Sequence, residues 1–327
     1  MDGSLRPMST SQVLDRTFFL YRNNFVLFAG IALITPTLTL IARLVQLAMF
    51  GVPVMPNRVG GDPNAAMGMM MPFFARAALG GMIGLIIYMV GYAITTAATV
   101  QAVSMLHLGR MTSIKESYQR VQSIWGRLLL LVIRIFLIAS WPLLACYGLL
   151  IALLIMMLAA RGSAAGLATA AVAGLGMLLI LPGFIVGIVW AAVAYCRYAL
   201  AVPACVVENL PIKYALIRGK YLSKGNLGRV FAVYFLTAII TIAVKSLLQV
   251  PVYMSAGFSF RTGLHLTPVL MAWTYGSEFV SALIAGPIAA IAMALVYYDE
   301  RVRKEAFDLQ VIMESMRPGE STQVGSV

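Results

Sequence analysis

Charge is the scarcest commodity in this sequence: only 11% of its 327 residues are Asp, Glu, Lys or Arg, with 12 acids against 24 bases. A soluble globule of that length needs far more polar surface, so the composition excludes one. Histidine is almost missing, with His107 and His265 alone, and no HExxH, GxSxG, GxGxxG or GxxxxGK[ST] pattern occurs. Each of those chemistries needs its ligands, nucleophile or phosphate-cradling glycines at fixed spacing. The chain therefore reads as a non-enzyme with no cofactor. Three cysteines, Cys146, Cys196 and Cys205, lie inside or at the end of apolar runs without CxxC spacing. They read as small buried apolar residues rather than a disulfide framework or metal site. Strand-like alternation is also missing, which argues against a membrane β-barrel.

What the sequence does have is apolar length: 61% of residues are hydrophobic and the mean hydropathy is +0.89. Unpaired peptide groups in hydrocarbon cost several kcal/mol, so continuous apolar runs of ~20 residues or more predict membrane-spanning helices. Six are expected, at about 24–50, 79–107, 128–160, 164–203, 227–250 and 271–298. The fourth run is twice the length a bilayer requires, and Pro182 and Gly183 would either kink it or split it into two spans. Splitting would carry a basic stretch to the far side, so a single kinked helix is the reading that charge favours.

Polar segments precede three of the spans. At the N-terminus, Ser9 and Gln12 have capping-box spacing, and Leu14, Phe18, Tyr21 and Phe25 form one apolar stripe of a helix lying on the membrane surface. An offset of 202 lays Arg16 on Arg218, Phe19 on Tyr221, Leu20 on Leu222, Arg22 on Lys224 and Asn24 on Asn226. An offset of 104 lays Ser9 on Ser113, Gln12 on Glu116 and Arg16 on Arg120. The expected fold is all-α and polytopic, with residues 1–309 built from three units (about 1–107, 108–205 and 206–309), each opening with an interfacial helix. Residues 310–327 form a tail, disordered from Pro318. Of the Lys and Arg outside the spans, sixteen fall on the side of the termini and four, Arg58, Arg76, Arg161 and Arg261, on the other. That asymmetry places both termini in the cytoplasm.

Ionisable residues within spans are functional candidates by default. Arg134 and Arg197 reach a similar depth near the cytoplasmic face, where they either bind a phosphate headgroup together or snorkel separately. Arg16, Arg218 and Lys220 face anionic headgroups from the surface helices. Lys245 and Glu278, at matching depths near the outer face, suit a structural ion pair or a transport relay. Asp299, Glu300, Glu305 and Asp308 interleave with Arg301, Arg303 and Lys304, which reads as i,i+4 pairing on a solvated helix. The loop expected from Gly51 to Phe74 carries Met67, Met69, Met70 and Met71, a thioether group that either suits a soft ion or folds back on the bilayer. A second loop is expected over 251–268. The net charge of +12 is scattered beside apolar runs, which points to anionic lipid rather than nucleic acid as partner.

Three stretches carry a family resemblance: LRPMSTSQVLDRTFFLYRNNF at the start, VVENLPIKYALIRGKYLSKGNLGRVF in the middle and YYDERVRKEAFDL at the close. Together they resemble the bacterial membrane domain associated with glycerophosphoryl diester phosphodiesterase, over roughly Leu5 to Leu309. The closing motif, with Tyr297, Tyr298, Asp299, Arg301, Arg303, Glu305 and Asp308, is the most specific, whereas Gly219 departs from the small hydroxyl residue expected there. The resemblance implies a fold and a place in the bacterial inner membrane. It implies no enzymatic activity, because the catalytic barrel of fused relatives has no counterpart here.

Overall fold

The computed structural model describes residues 8–51, 63–107, 109–159, 166–259 and 268–305, with no strand among them. The helices run α1 Thr10–Asn23, α2 Phe25–Ala32, α3 Ile34–Phe50, α4 Pro63–His107, α5 Ile114–Gln122 and α6 Trp125–Ala159. They continue as α7 Gly166–Tyr198, α8 Ala201–Val207, α9 Ile212–Ser223, α10 Leu227–Leu248, α11 Val250–Ser259 and α12 Pro268–Glu305. Six segments are long and apolar enough to cross a membrane: Phe25–Phe50, Ala78–His107, Trp125–Leu153, Gly174–Val207, Leu227–Leu248 and Pro268–Glu305. This is an all-helical, multi-pass membrane protein. The expected tail over 310–327, Asp308, and the loop cations Arg58, Arg161 and Arg261 lie outside the described residues.

Local chemistry explains the helix starts. Ser9 caps α1, accepting from Gln12 N–H at 3.3 Å while Gln12 Oε1 accepts from Ser9 N–H at 2.8 Å. At α5 only half of that box forms: Ser113 accepts from Glu116 N–H at 3.2 Å, but the Glu116 carboxylate turns to Arg120 at 2.7 Å. The first span breaks at Leu33, three residues before Pro36, whose missing N–H cannot continue the ladder. Pro142 and Pro182 sit inside unbroken helices, so the long fourth run is one helix, α7, followed by the short buried α8.

Two expectations need correcting. The loop expected over 51–74 is helical from Pro63 on, where α4 begins. Proline suits a first helical turn, and the Ala and Met residues that follow are strong helix formers. The loop expected over 251–268 is helical over its first half, as α11. On α1, Val13, Thr17 and Leu20 are buried against the bundle, while Phe18 and Phe25 of the expected surface stripe are exposed.

Helix α12 is the centre of the bundle: 61% of its apolar window is buried inside the protein, against 12 to 28% for the other five spans. Most of the buried core gathers at the end carrying α1, α5 and α9, here the basic end, where Leu128, Leu131, Leu200, Leu222, Ile291 and Leu295 are closed off. The α6–α7 hairpin closes through small residues, with Gly187 against Leu143 and Gly183 against Cys146. Gly219 has a comparable reason. A Cβ there would stand 2.7 to 2.9 Å from Ala201 backbone and side-chain atoms, so only glycine lets α9 lie on α8.

Gly219→Ala should therefore destabilise the protein by about 1–3 kcal/mol. Gly228→Ala, in open space on an exposed helix position, should be neutral or slightly stabilising. Thermal unfolding of both variants in detergent checks the contrast.

Candidate functional site

Asp299 and Glu300 are adjacent on α12 and only 2% and 0% exposed. A carboxylate removed from water costs several kcal/mol unless charge and hydrogen bonds replace its hydration. Arg229, in the first turn of α10, supplies both. Its Nη1 pairs with Asp299 Oδ2 and with Glu300 Oε1 at 3.2 Å, and its Nη2 donates to the Met8 carbonyl at 2.7 Å. Asn226 Nδ2 donates to both Glu300 oxygens at 2.8 and 3.1 Å. Met8 N–H donates to Asp299 Oδ1. Arg303 reaches back one turn to Asp299 at 2.7 Å and also holds the Met8 carbonyl at 2.6 Å.

A second group adjoins the first. Arg218 on α9 donates to Glu208 at 3.0 Å and to Glu305 at 2.7 Å, and the Tyr297 hydroxyl donates to Glu208 at 2.6 Å. Burial alone would lower the Arg218 pKa, but Glu305 and Glu208 more than offset it and hold the guanidinium above its ordinary value. Arg301 pairs with Glu305 at 3.3 Å and lies over the Tyr297 ring. Lys304 Nζ donates to the carbonyls of Tyr221, Leu222 and Lys224 at 3.0, 2.7 and 2.7 Å, satisfying the C-terminus of α9. Tyr298 donates to Ser104 Oγ at 2.7 Å and stacks on His107. The expected i,i+4 pairs of the closing motif are thus present, but Asp299 and Glu300 are not solvated. Partners 70 to 291 residues away in sequence bury them.

One turn along α12 from Tyr297, Met293 lines a cavity of about 890 Å³. Its walls come from α3, α4, α6, the end of α7, α10 and α12. Small residues of α12, including Ala282, Ala285, Gly286 and Ala289, leave the space open. Most of its polar side chains are hydroxyls. Tyr88, Tyr92 and Thr99 follow one another along α4, and Thr237 and Thr241 along α10. Tyr92 and Tyr195 hydroxyls lie 3.0 Å apart, and the Tyr195 and Tyr234 rings are 4.8 Å apart between centroids. At the end away from the closing motif stand Arg43, Lys245 and Glu278, the last two 3.6 Å apart.

The other residues named from sequence are dispersed. Arg134 and Arg197 are exposed on adjacent antiparallel helices, at about the same level judged from the Trp190 Nε1 bond to the Ile138 carbonyl. Neither side chain has an ion pair among the described residues. Arg16 is exposed over the Phe19 ring, and Lys220 is exposed without an ion pair. Arg218, expected at lipid headgroups, is instead engaged within the protein. Met67, Met69, Met70 and Met71 have helical backbone, and their side chains lie outside the described residues. Sequence reasoning missed Met8, Asn226 and Arg229 as partners of the buried acids, and the hydroxyl stripe as well. Thr237, Thr241 and Lys245 at i, i+4 and i+8 in an apolar helix were the available signal for the latter.

No family model matches the chain, and comparisons with curated proteins and with solved structures gave no match.

Arg229→Met is expected to cost about 3–5 kcal/mol, since it strands two buried carboxylates. Lys220→Met should stay within about 0.5 kcal/mol. Denaturant unfolding in mixed micelles, following α-helical signal, distinguishes the two.

Proposed function

We propose that this chain is a non-catalytic membrane module that engages lipid or a lipid-like amphiphile, which it holds in the cavity between its helices. The observation that carries this reading is the cavity itself. Its volume of about 890 Å³ is within the usual range of small-molecule sites, and it combines apolar walls with a few convergent polar groups. An apolar tail suits the walls and a polar head suits the hydroxyls.

The reading extends to place and orientation. The chain would sit in the bacterial cytoplasmic membrane with both termini cytoplasmic, as three units that each open with an interfacial helix. The resemblance to the membrane domain associated with glycerophosphoryl diester phosphodiesterase belongs to the same proposal. Exposed Arg16, Arg134, Arg197 and Lys220 would hold anionic headgroups at the cytoplasmic leaflet, and another membrane protein would use the bound lipid. Transport of a small solute or lipid is the second reading. It is favoured by the position of the ion-pair groups, which lie beyond one end of the polar cavity while the other end carries the exposed Lys245 and the half-buried Glu278.

Native mass spectrometry of the protein extracted in mild detergent should find about one amphiphile per chain. Ala238→Phe, which fills the cavity wall, should reduce that occupancy at least ~10-fold with the fold intact. An empty wild-type protein, or equal occupancy in the variant, contradicts the proposal. Joint charge reversal, Arg134→Glu with Arg197→Glu, should weaken binding to phosphatidylglycerol vesicles. Unchanged binding would remove the surface part of the reading.

A further inference from the structure

Five hydroxyls of the cavity wall, those of Thr39, Thr99, Thr237, Thr241 and Ser281, are committed in one direction. Thr99 donates to the Thr95 carbonyl at 2.8 Å, Thr237 to Tyr234 at 2.8 Å, Thr241 to Thr237 at 2.8 Å and Ser281 to Glu278 at 3.0 Å. Thr39 likewise donates to the carbonyls of Thr35 and Pro36. A hydroxyl has one proton and two lone pairs, so each group that spends its proton on its own helix offers the cavity only an acceptor. A ligand that brings donors is matched to this part of the wall, and one that brings only acceptors is not.

The charges are arranged in a layer beside these acceptors. Arg43 lies one turn beyond Thr39, Lys245 one turn beyond Thr241, and Glu278 almost one turn beyond Ser281. The spacing along the helix axes is ~5–6 Å. Lys245 is balanced by Glu278, whereas Arg43 pairs with no carboxylate among the described residues. The layer therefore holds two cations and one anion, which leaves room for one negative charge. A lone cation would meet that surplus positive charge, and a lone anion would leave the acceptor wall without donors.

Resting on the cavity reading above, we infer that the ligand is zwitterionic: an anionic group lies at the Arg43–Lys245 layer and a hydrogen-bond-donating primary ammonium lies one turn deeper, against the hydroxyls of Thr39, Thr241 and Ser281. A phosphoethanolamine-type head satisfies this chemistry either on a lipid or as a free solute. Methylation of the ammonium keeps its charge but removes every N–H donor, which makes donor recognition separable from charge recognition.

The test uses the full chain in maltoside detergent and three lysophospholipids with one acyl chain, carrying ethanolamine, choline or phosphate alone as headgroup. Calorimetric titration should show the ethanolamine probe binding at least ~10-fold tighter than the other two. Thr241→Val combined with Ser281→Ala, whose melting temperature without ligand reports folding, should reduce that preference to ~3-fold or less. Competition by free phosphoethanolamine would support the same chemistry with a soluble source, and its failure to compete would support a lipid source. Equal affinity for the choline probe overturns the inference while leaving the cavity reading in place, as does a preference that survives in the double variant. Binding of none of the probes, together with an empty protein by mass spectrometry, overturns both.

Discussion

Two neighbouring carboxylates inside a membrane helix impose the main constraint on this protein. Asp299 and Glu300 cannot be closed off from water without cations and donors, and none of sufficient reach follows them on α12 except Arg303 and Lys304. The remainder must come from elsewhere: Arg229 and Asn226 at the start of α10, and the main chain of Met8 just before α1. The requirement therefore pins the N-terminal segment, α10 and α12 together at one level. Glu208, Arg218 and Tyr297 extend the same network to α9. The segment at Met8, the stretch from Glu208 to Arg229 and the stretch from Tyr297 to Glu305 meet here.

This tight end accounts for the looser one. A bundle held by a dense core and buried ion pairs at its basic end does not need close packing along its whole length. Farther along α12 the side chains facing its neighbours shrink to Ala, Gly and Ser, and the helices enclose space rather than interlock. Two prolines leave backbone carbonyls short of their usual helical donor. Pro36 interrupts the first span, and the Tyr118 hydroxyl donates to the Ile31 carbonyl nearby. Pro287 cannot bond the Leu283 carbonyl, and Tyr21 donates to the adjacent Ile284 carbonyl at 2.6 Å. Tyrosines from the surface segments thus serve carbonyls close to the proline positions.

The spans were legible in the sequence because hydrocarbon demands long apolar runs, and little else produces them. The Ser9 cap was legible too, since Gln12 lies within one turn of it. Features failed to show wherever the deciding partner is remote. The i,i+4 pattern of Asp299, Glu300, Arg303 and Lys304 looks the same on a solvated helix and a buried one, and only Arg229 and Met8 distinguish them. Pro63 and Pro251 suggested loops, although proline is at home in the first turn of a helix. The cavity was hidden for another reason. Each threonine is unremarkable alone, and only the meeting of α3, α4, α10 and α12 makes their hydroxyls one surface.

The account stands on an amphiphile occupying the space between the helices. Photo-methionine placed at Met293 alone, irradiated in intact membranes, reports what touches the cavity wall through the mass of its adduct. The account predicts a covalent adduct with a single class of amphiphile, in high yield. An adduct with water only, or with the same lipid mixture that labels a lipid-facing position such as Leu178, would contradict it.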